Sequence, residues 1–126
     1  MTIADTDVLI DFLSASEPTA GRVGRELQHG NLATTVITRF ELLSGARTAR
    51  ALHVIRQLLD SIRTVELGSG AADRAAAVRR TLERKGSEIG MADSLIAGIV
   101  LNANGVLLTR NRRHFERVEG LSLATP

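Results

Sequence analysis

The chain contains no cysteine, no tryptophan and no tyrosine, and only two prolines, in 126 residues. Without cysteine there can be no thiolate metal site, no thiol nucleophile and no disulfide framework, and the composition suits a reducing, cytoplasmic setting. Three phenylalanines are the whole aromatic complement, too few for the stacking platforms on which single-strand binders rest successive bases. Any nucleic-acid contact would therefore go to the backbone. No apolar run reaches the roughly 18–20 residues of a membrane span. The N-terminal MTIADTDVLIDFL lacks a basic stretch and carries three aspartates, unlike a signal peptide. Lysine is almost missing too. Of 16 basic residues 15 are arginine, and the net charge is only +2. The pI near 10.3 therefore reflects arginine and the lack of tyrosine and cysteine, not a large excess of charge. Arginine grips phosphate in a bidentate way that lysine cannot, which suits a nucleic-acid ligand, although compositional bias gives the same count. The length fits a single domain, 1–126, able to bury its apolar surface without staples.

The densest apolar stretch is Ile89 to Thr109. From Met91 to Ala103 nearly every residue is apolar or small, so a helix there is buried around most of its circumference and forms the centre of a core. Asn104 and Gly105 end it, the glycine supplying a left-handed conformation, and Val106 to Leu108 read as a short buried strand beside it. Asp93 stands out in this stretch. An unpaired carboxylate in apolar surroundings costs several kcal/mol, so it needs a partner: the orphan amides of the first helical turn, or something outside the helix.

Short strand signals alternate with helical ones along the rest of the chain. Thr2 to Ala4 form a strand ending at Asp5, and a helix begins by Val8. Asp7 caps that helix and Asp11, one turn on, is a solvated position. Ser14 to Gly30 is a surface helix, opened by Ser16 and Pro18, with His29 complementing its C-terminal dipole. Leu32 to Ile37 is a strand, and Thr38 caps a helix to Gly45, with Glu41 placed three residues on, as a capping box requires. Ala51 to Ile62 is an amphipathic helix, Thr64 to Leu67 a strand and Ala71 to Leu82 a helix of small residues; Leu121 to Leu123 closes the chain. The alternation implies a three-layer α/β domain with a mostly parallel sheet of four to five short strands flanked by helices. In such a sheet Asp5, Glu41 and the turn at Asn111 lie toward one edge, the edge where open α/β sheets collect ligands.

Converging carboxylates repel unless they are protonated or neutralised by a cation. A hard divalent ion such as Mg²⁺ or Mn²⁺ prefers oxygen ligands, can hold a phosphate oxygen at the same time, and lowers the pKa of bound water: the chemistry of phosphodiester hydrolysis. IADTDVLI around Asp5, TRFELLSGA around Glu41, ADSLIAGIVLNANGVLLT from Asp93 and the final TRNRRHFERVEGL resemble, in order and spacing, a PIN domain of the VapC toxin type. The resemblance covers nearly the whole chain. It implies a metal-dependent endoribonuclease, the toxin of a type II toxin–antitoxin pair, silenced by a VapB-like antitoxin and assembled as a homodimer. Carried over motif by motif, it makes Asp5, Glu41 and Asp93 the catalytic, metal-binding acids. Asn111, Thr6 and Thr109 become orienting neighbours, and Arg110, Arg112, Arg113 and Arg117 RNA contacts. The turn after the fourth strand departs from the strictest pattern, offering Asn111 and His114 in place of a fourth aspartate. That opens a rival reading, a catalytically silent PIN scaffold that binds RNA or a protein. A second rival is a haloacid-dehalogenase-like phosphatase, suggested by the Asp-Thr-Asp-Val after the first strand; it lacks a suitable lysine, since the one lysine, Lys85, falls in a charged helix end.

Overall fold

The computed structural model describes all residues, 1–126. The elements in order are β1 (Thr2–Ala4), α1 (Thr6–Leu13), α2 (Thr19–Gln28), β2 (Leu32–Thr35), α3 (Val36–Gly45), α4 (Ala49–Ser61), β3 (Arg63–Val65), α5 (Ser69–Arg84), α6 (Met91–Ala103), β4 (Val106–Leu108), α7 (Arg112–Phe115) and β5 (Ser122–Ala124). The five strands form one sheet in the order β3-β2-β1-β4-β5, and every pairing is parallel.

This order fixes where the layers and the cleft lie. The chain steps from β1 to β2 to β3 in one direction, then returns past β1 to add β4 and β5 on the other side. Right-handed crossovers put helices of the outward steps on one face and those of the return step on the opposite face. The apolar contacts divide accordingly. Ala4, Leu32 and Leu108 pack with Val8, Leu9, Val23, Leu42, Ile55, Leu58 and Leu59 from α1 to α4. Their strand neighbours Ile3, Ala33 and Leu107 pack with Ala71, Leu82, Ile96, Ile99, Val100 and Phe115 from α5 to α7. Successive strand side chains point to opposite faces, so three-residue strands serve both layers. The reversal between β1 and β4 is a topological switch point, the place where an α/β sheet opens a crevice at its carboxyl edge.

The α6 helix spans the residues expected from composition, Met91–Ala103, with Ser94, Ile96, Ala97, Gly98, Ile99 and Val100 buried. It approaches α5 at Gly98, where a Cβ would lie 2.6 Å from Ala71 O and from Ala75 Cβ. The helix stops through Asn104, not Gly105: Asn104 takes the left-handed conformation at φ 53. Gly105 sits in a tight place, since a Cβ there would lie 2.7 Å from Ile3 Cδ1 and 3.3 Å from Met1 O.

Four local expectations are corrected. The cap of α1 is Asp5, whose side chain accepts the Thr6 N–H, and not Asp7. The second strand ends at Thr35, and Thr35 caps α3 by accepting the Thr38 N–H at 3.1 Å, so Val36 and Ile37 are helical and Thr38 is no cap. The capping box with Glu41 does not form. Ser16 does not open a helix running from Ser14; α2 starts at Thr19 behind Pro18, with no side-chain cap. Asp11 is not solvated, since only 17% of its side chain is exposed and it pairs with Arg110.

Candidate active site

Asp5 follows β1 directly and is the N-cap of α1, its backbone extended at φ −73, ψ 164. Position forces its burial: β1 is the central strand, flanked by β2 and β4, and the carboxylate stands over the switch point, 6% exposed. Oδ1 accepts the Thr6 N–H at 2.8 Å and Oδ2 accepts the Thr109 hydroxyl at 2.7 Å. Thr109 follows β4, so this bond closes the crevice between the two strands where the topology reverses. Desolvation pushes the Asp5 pKa from 3.8 up to about 6; Thr109 and Thr6 counteract it, while the charges of Asp7 and Asp93 add to it. The carboxyl group is therefore short of positive charge.

Glu41 lies on α3, one turn and a half past its Thr35 cap. Its Oε1 accepts the Thr6 hydroxyl at 2.7 Å, and Thr6 Oγ1 is also 3.0 Å from Thr38 Oγ1. Thr6 thus joins two acids that are distant in sequence, its amide on Asp5 and its hydroxyl on Glu41. Asp93 sits in the first turn of α6, whose N-cap is Gly90, and the cap has no side-chain hydrogen bond. Its carboxylate reaches outward instead: Oδ2 is 3.0 Å from His114 Nδ1, which is 3.0 Å from Asn111 Nδ2. A protonated Nδ1 donates to Asp93, whereas an unprotonated one accepts the Asn111 amide.

The acids come from three segments onto one edge, but no group of three or more His, Asp or Glu side chains is arranged as a ready metal cage. Each acid turns toward a hydroxyl, backbone N–H or imidazole neighbour and not toward another acid. The donor set nevertheless fits a hard divalent cation: all carboxylate oxygen, with Asp5 desolvated and repelled by Asp93 and by neighbouring Asp7.

The arginines differ among themselves. The guanidinium of Arg110 is held by Asp11, Nε to Oδ2 at 2.7 Å. Arg117 donates to the carbonyls of Ser87 and Glu88 at 3.5 and 3.3 Å. Arg112 is exposed, 3.7 Å from Glu116, and Arg113 is exposed. Two contributors escaped sequence reading. Thr38 looks like a cap in the sequence and His114 has no role legible there, although its spacing of three from Asn111, the N-cap of α7, brings the two side chains together.

Over residues 2–121 the chain matches the family model of the PIN domain, and it belongs to that family. Within it the chain is of the VapC type. It is 34% identical over 121 residues to Ribonuclease VapC10 of Mycobacterium tuberculosis, covering 96% of this chain and 90% of the relative. It is 31% identical over 121 residues to the tRNA(fMet)-specific endonuclease VapC of Shigella flexneri, covering 93% and 91%. Among solved structures, DNA-bound VapBC from Salmonella typhimurium has a chain that superimposes with a TM-score of 0.87 at 26% identity, covering 98% of this chain and 96% of that one.

Proposed function

We propose that this chain is a divalent-metal-dependent endoribonuclease, the toxin of a type II toxin–antitoxin pair, acting on cellular RNA. The observation that carries the site assignment is the support given to each acid: Thr6 N–H and Thr109 on Asp5, the Thr6 hydroxyl on Glu41, and His114 on Asp93. Side chains placed only for stability would not keep a desolvated carboxyl at a switch point. Asp5, Glu41 and Asp93 would hold Mg²⁺ or Mn²⁺, which when bound lowers the pKa of water and offsets charge on the scissile phosphate. The protein's own groups do the positioning. Thr109 and Thr6 fix the rotamer of Asp5, Thr6 fixes Glu41, and His114 orients Asp93 through its Nδ1–H. Arg112, Arg113 and Arg117 offer bidentate donors to the RNA backbone beside the crevice.

A protein partner is supported by a separate feature. A shallow groove is lined by Ile10, Leu13, Leu42 and Ile55 together with Glu41, and Ile10 is 51% exposed. A VapB-like antitoxin segment lying there would cover one of the working acids. Phe40, 69% exposed on α3, and Met91, 63% exposed at the start of α6, supply apolar surface for a homodimer. No helix is long and apolar enough to cross a membrane, in keeping with action on cytoplasmic RNA. The phosphatase alternative has no lysine at the site: Lys85 is the C-cap of α5 and is absent from the groups that touch Asp5.

Purified, antitoxin-free protein is expected to cleave cellular RNA with Mg²⁺ or Mn²⁺ and to stop on chelation. The same ions should raise its melting temperature at pH 7 by mass action, an effect lost in Asp5→Asn. Protein that is stabilised by the metal yet cuts no RNA would support the silent-scaffold reading, which the absent fourth acid motivates.

A further inference from the structure

Three carboxylates from the start of the chain hold the turn between β4 and α7 at two successive residues, Thr109 and Arg110. Asp5 accepts the Thr109 hydroxyl at 2.7 Å. Asp7 Oδ2 accepts the Arg110 backbone N–H at 3.1 Å. Asp11 takes the Arg110 guanidinium on both oxygens, Nε to Oδ2 at 2.7 Å and Nη2 to Oδ1 at 3.4 Å. Asp7 and Asp11 are one helical turn apart, so their charges share one face of α1 and repel unless a cation comes between them. The planar fork of arginine provides one, with two donors directed at a single carboxylate.

The turn held in this way leads directly to the third acid. The Asn111 N–H donates to Thr109 Oγ1 at 2.9 Å, the Asn111 side chain is 3.0 Å from His114 Nδ1, and His114 is 3.0 Å from Asp93 Oδ2. A shift of the turn away from α1 would carry Asn111 and His114 with it and release Asp93. We infer that Asp11 and Arg110 are a positioning pair: their ion pair, with the Asp7 bond to the Arg110 amide, locks the 109–111 turn onto α1 so that His114, in α7 just past that turn, holds Asp93 in place through its Nδ1–H. Arg110 thereby works through the turn and not as a contact for RNA phosphate. The inference deepens the ribonuclease reading and rests on it for its catalytic consequence.

The two roles of Arg110 predict opposite behaviour for Asp11→Ala. If Arg110 binds RNA, removing Asp11 frees a cation and deletes a nearby acid, so RNA binding tightens. If the pair positions the turn, Asp11→Ala and Arg110→Ala each lower kcat by about ten- to a hundredfold, the range of a misplaced site. KM should change less than about twofold, and the double variant should be no worse than either single one, as coupled residues behave. Arg110→Lys, which keeps charge without the fork, should fall between. A structural readout is independent of catalysis: in Asp11→Ala the nuclear magnetic resonance signals of the Asn111 side-chain amide and the His114 ring nitrogens should move, and the Arg110 amide should exchange faster. Unmoved signals in a folded Asp11→Ala protein, or wild-type kcat with tighter RNA binding, would overturn the pair's role. If the wild type itself cuts no RNA, the ribonuclease reading fails and the resonance measurement alone decides whether the pair holds the turn.

Discussion

At Asp5 a carboxylate loses nearly all its water and receives in exchange one backbone N–H and one hydroxyl. The exchange is incomplete, and burial raises the pKa from 3.8 to about 6. An acid whose folded pKa exceeds its unfolded value stabilises the fold fully below the unfolded pKa and loses that contribution as pH rises through the folded one. In metal-free protein the Asp5 contribution is therefore present near pH 4 and gone by pH 7, a difference of about 3 kcal/mol for a shift of this size. Asp7, also raised by burial, acts in the same direction. Urea unfolding in chelator at pH 4 to 7 should show stability falling, and Asp5→Asn should flatten much of the fall; an unchanged slope would mean that the Asp5 carboxyl is solvated. Asp93→Asn tests function at the same scale. It should abolish cleavage while the protein stays folded, and an active Asp93→Asn enzyme would remove Asp93 from the site.

Elements that could be read from the sequence were those whose composition leaves one choice. Met91–Ala103 is apolar or small at nearly every position and reads as a central helix, and Val106–Leu108 reads as a short strand beside it. The β2–α3 junction was harder, because β-branched Val36 and Ile37 favour a strand by propensity, yet the hydroxyl of Thr35 caps the helix three residues before Thr38. The same error hid the use of Glu41, which looked like half of a capping box and instead accepts a hydroxyl from α1. Long-range pairs such as Asp11 with Arg110 leave no local trace, since 99 positions separate them. Helix packing gives a prediction of its own. Gly98→Ala should cost about 1–3 kcal/mol through overpacking against α5. Chemical denaturation measures this, and full stability would mean that α5 can move aside.

For the whole molecule, the order β3-β2-β1-β4-β5 determines that acids from β1, from α3 after β2 and from α6 before β4 meet one edge. That edge, with Asp5 and Glu41 toward it, followed from the alternation of elements, and Asp93 joined it through the family resemblance. The way each acid is held did not, because threonine hydroxyls and a histidine ring act across distances that a linear chain does not display. Charge also acts at this scale. With Arg110 held by Asp11, the exposed Arg112 and Arg113 carry more of any backbone contact. Replacing both by alanine should weaken RNA binding more at low salt than at high salt. Equal loss at both salt concentrations would argue against phosphate contacts.

The most direct measurement is expression of the chain in a bacterial host from a tightly controlled promoter, wild type beside Asp5→Ala, with mapping of new RNA 5′ ends. Growth arrest by the wild type alone, with new ends at a few defined sites, is the predicted result. Equal growth of both strains, with soluble protein and no new ends in either, would contradict an acid-dependent ribonuclease.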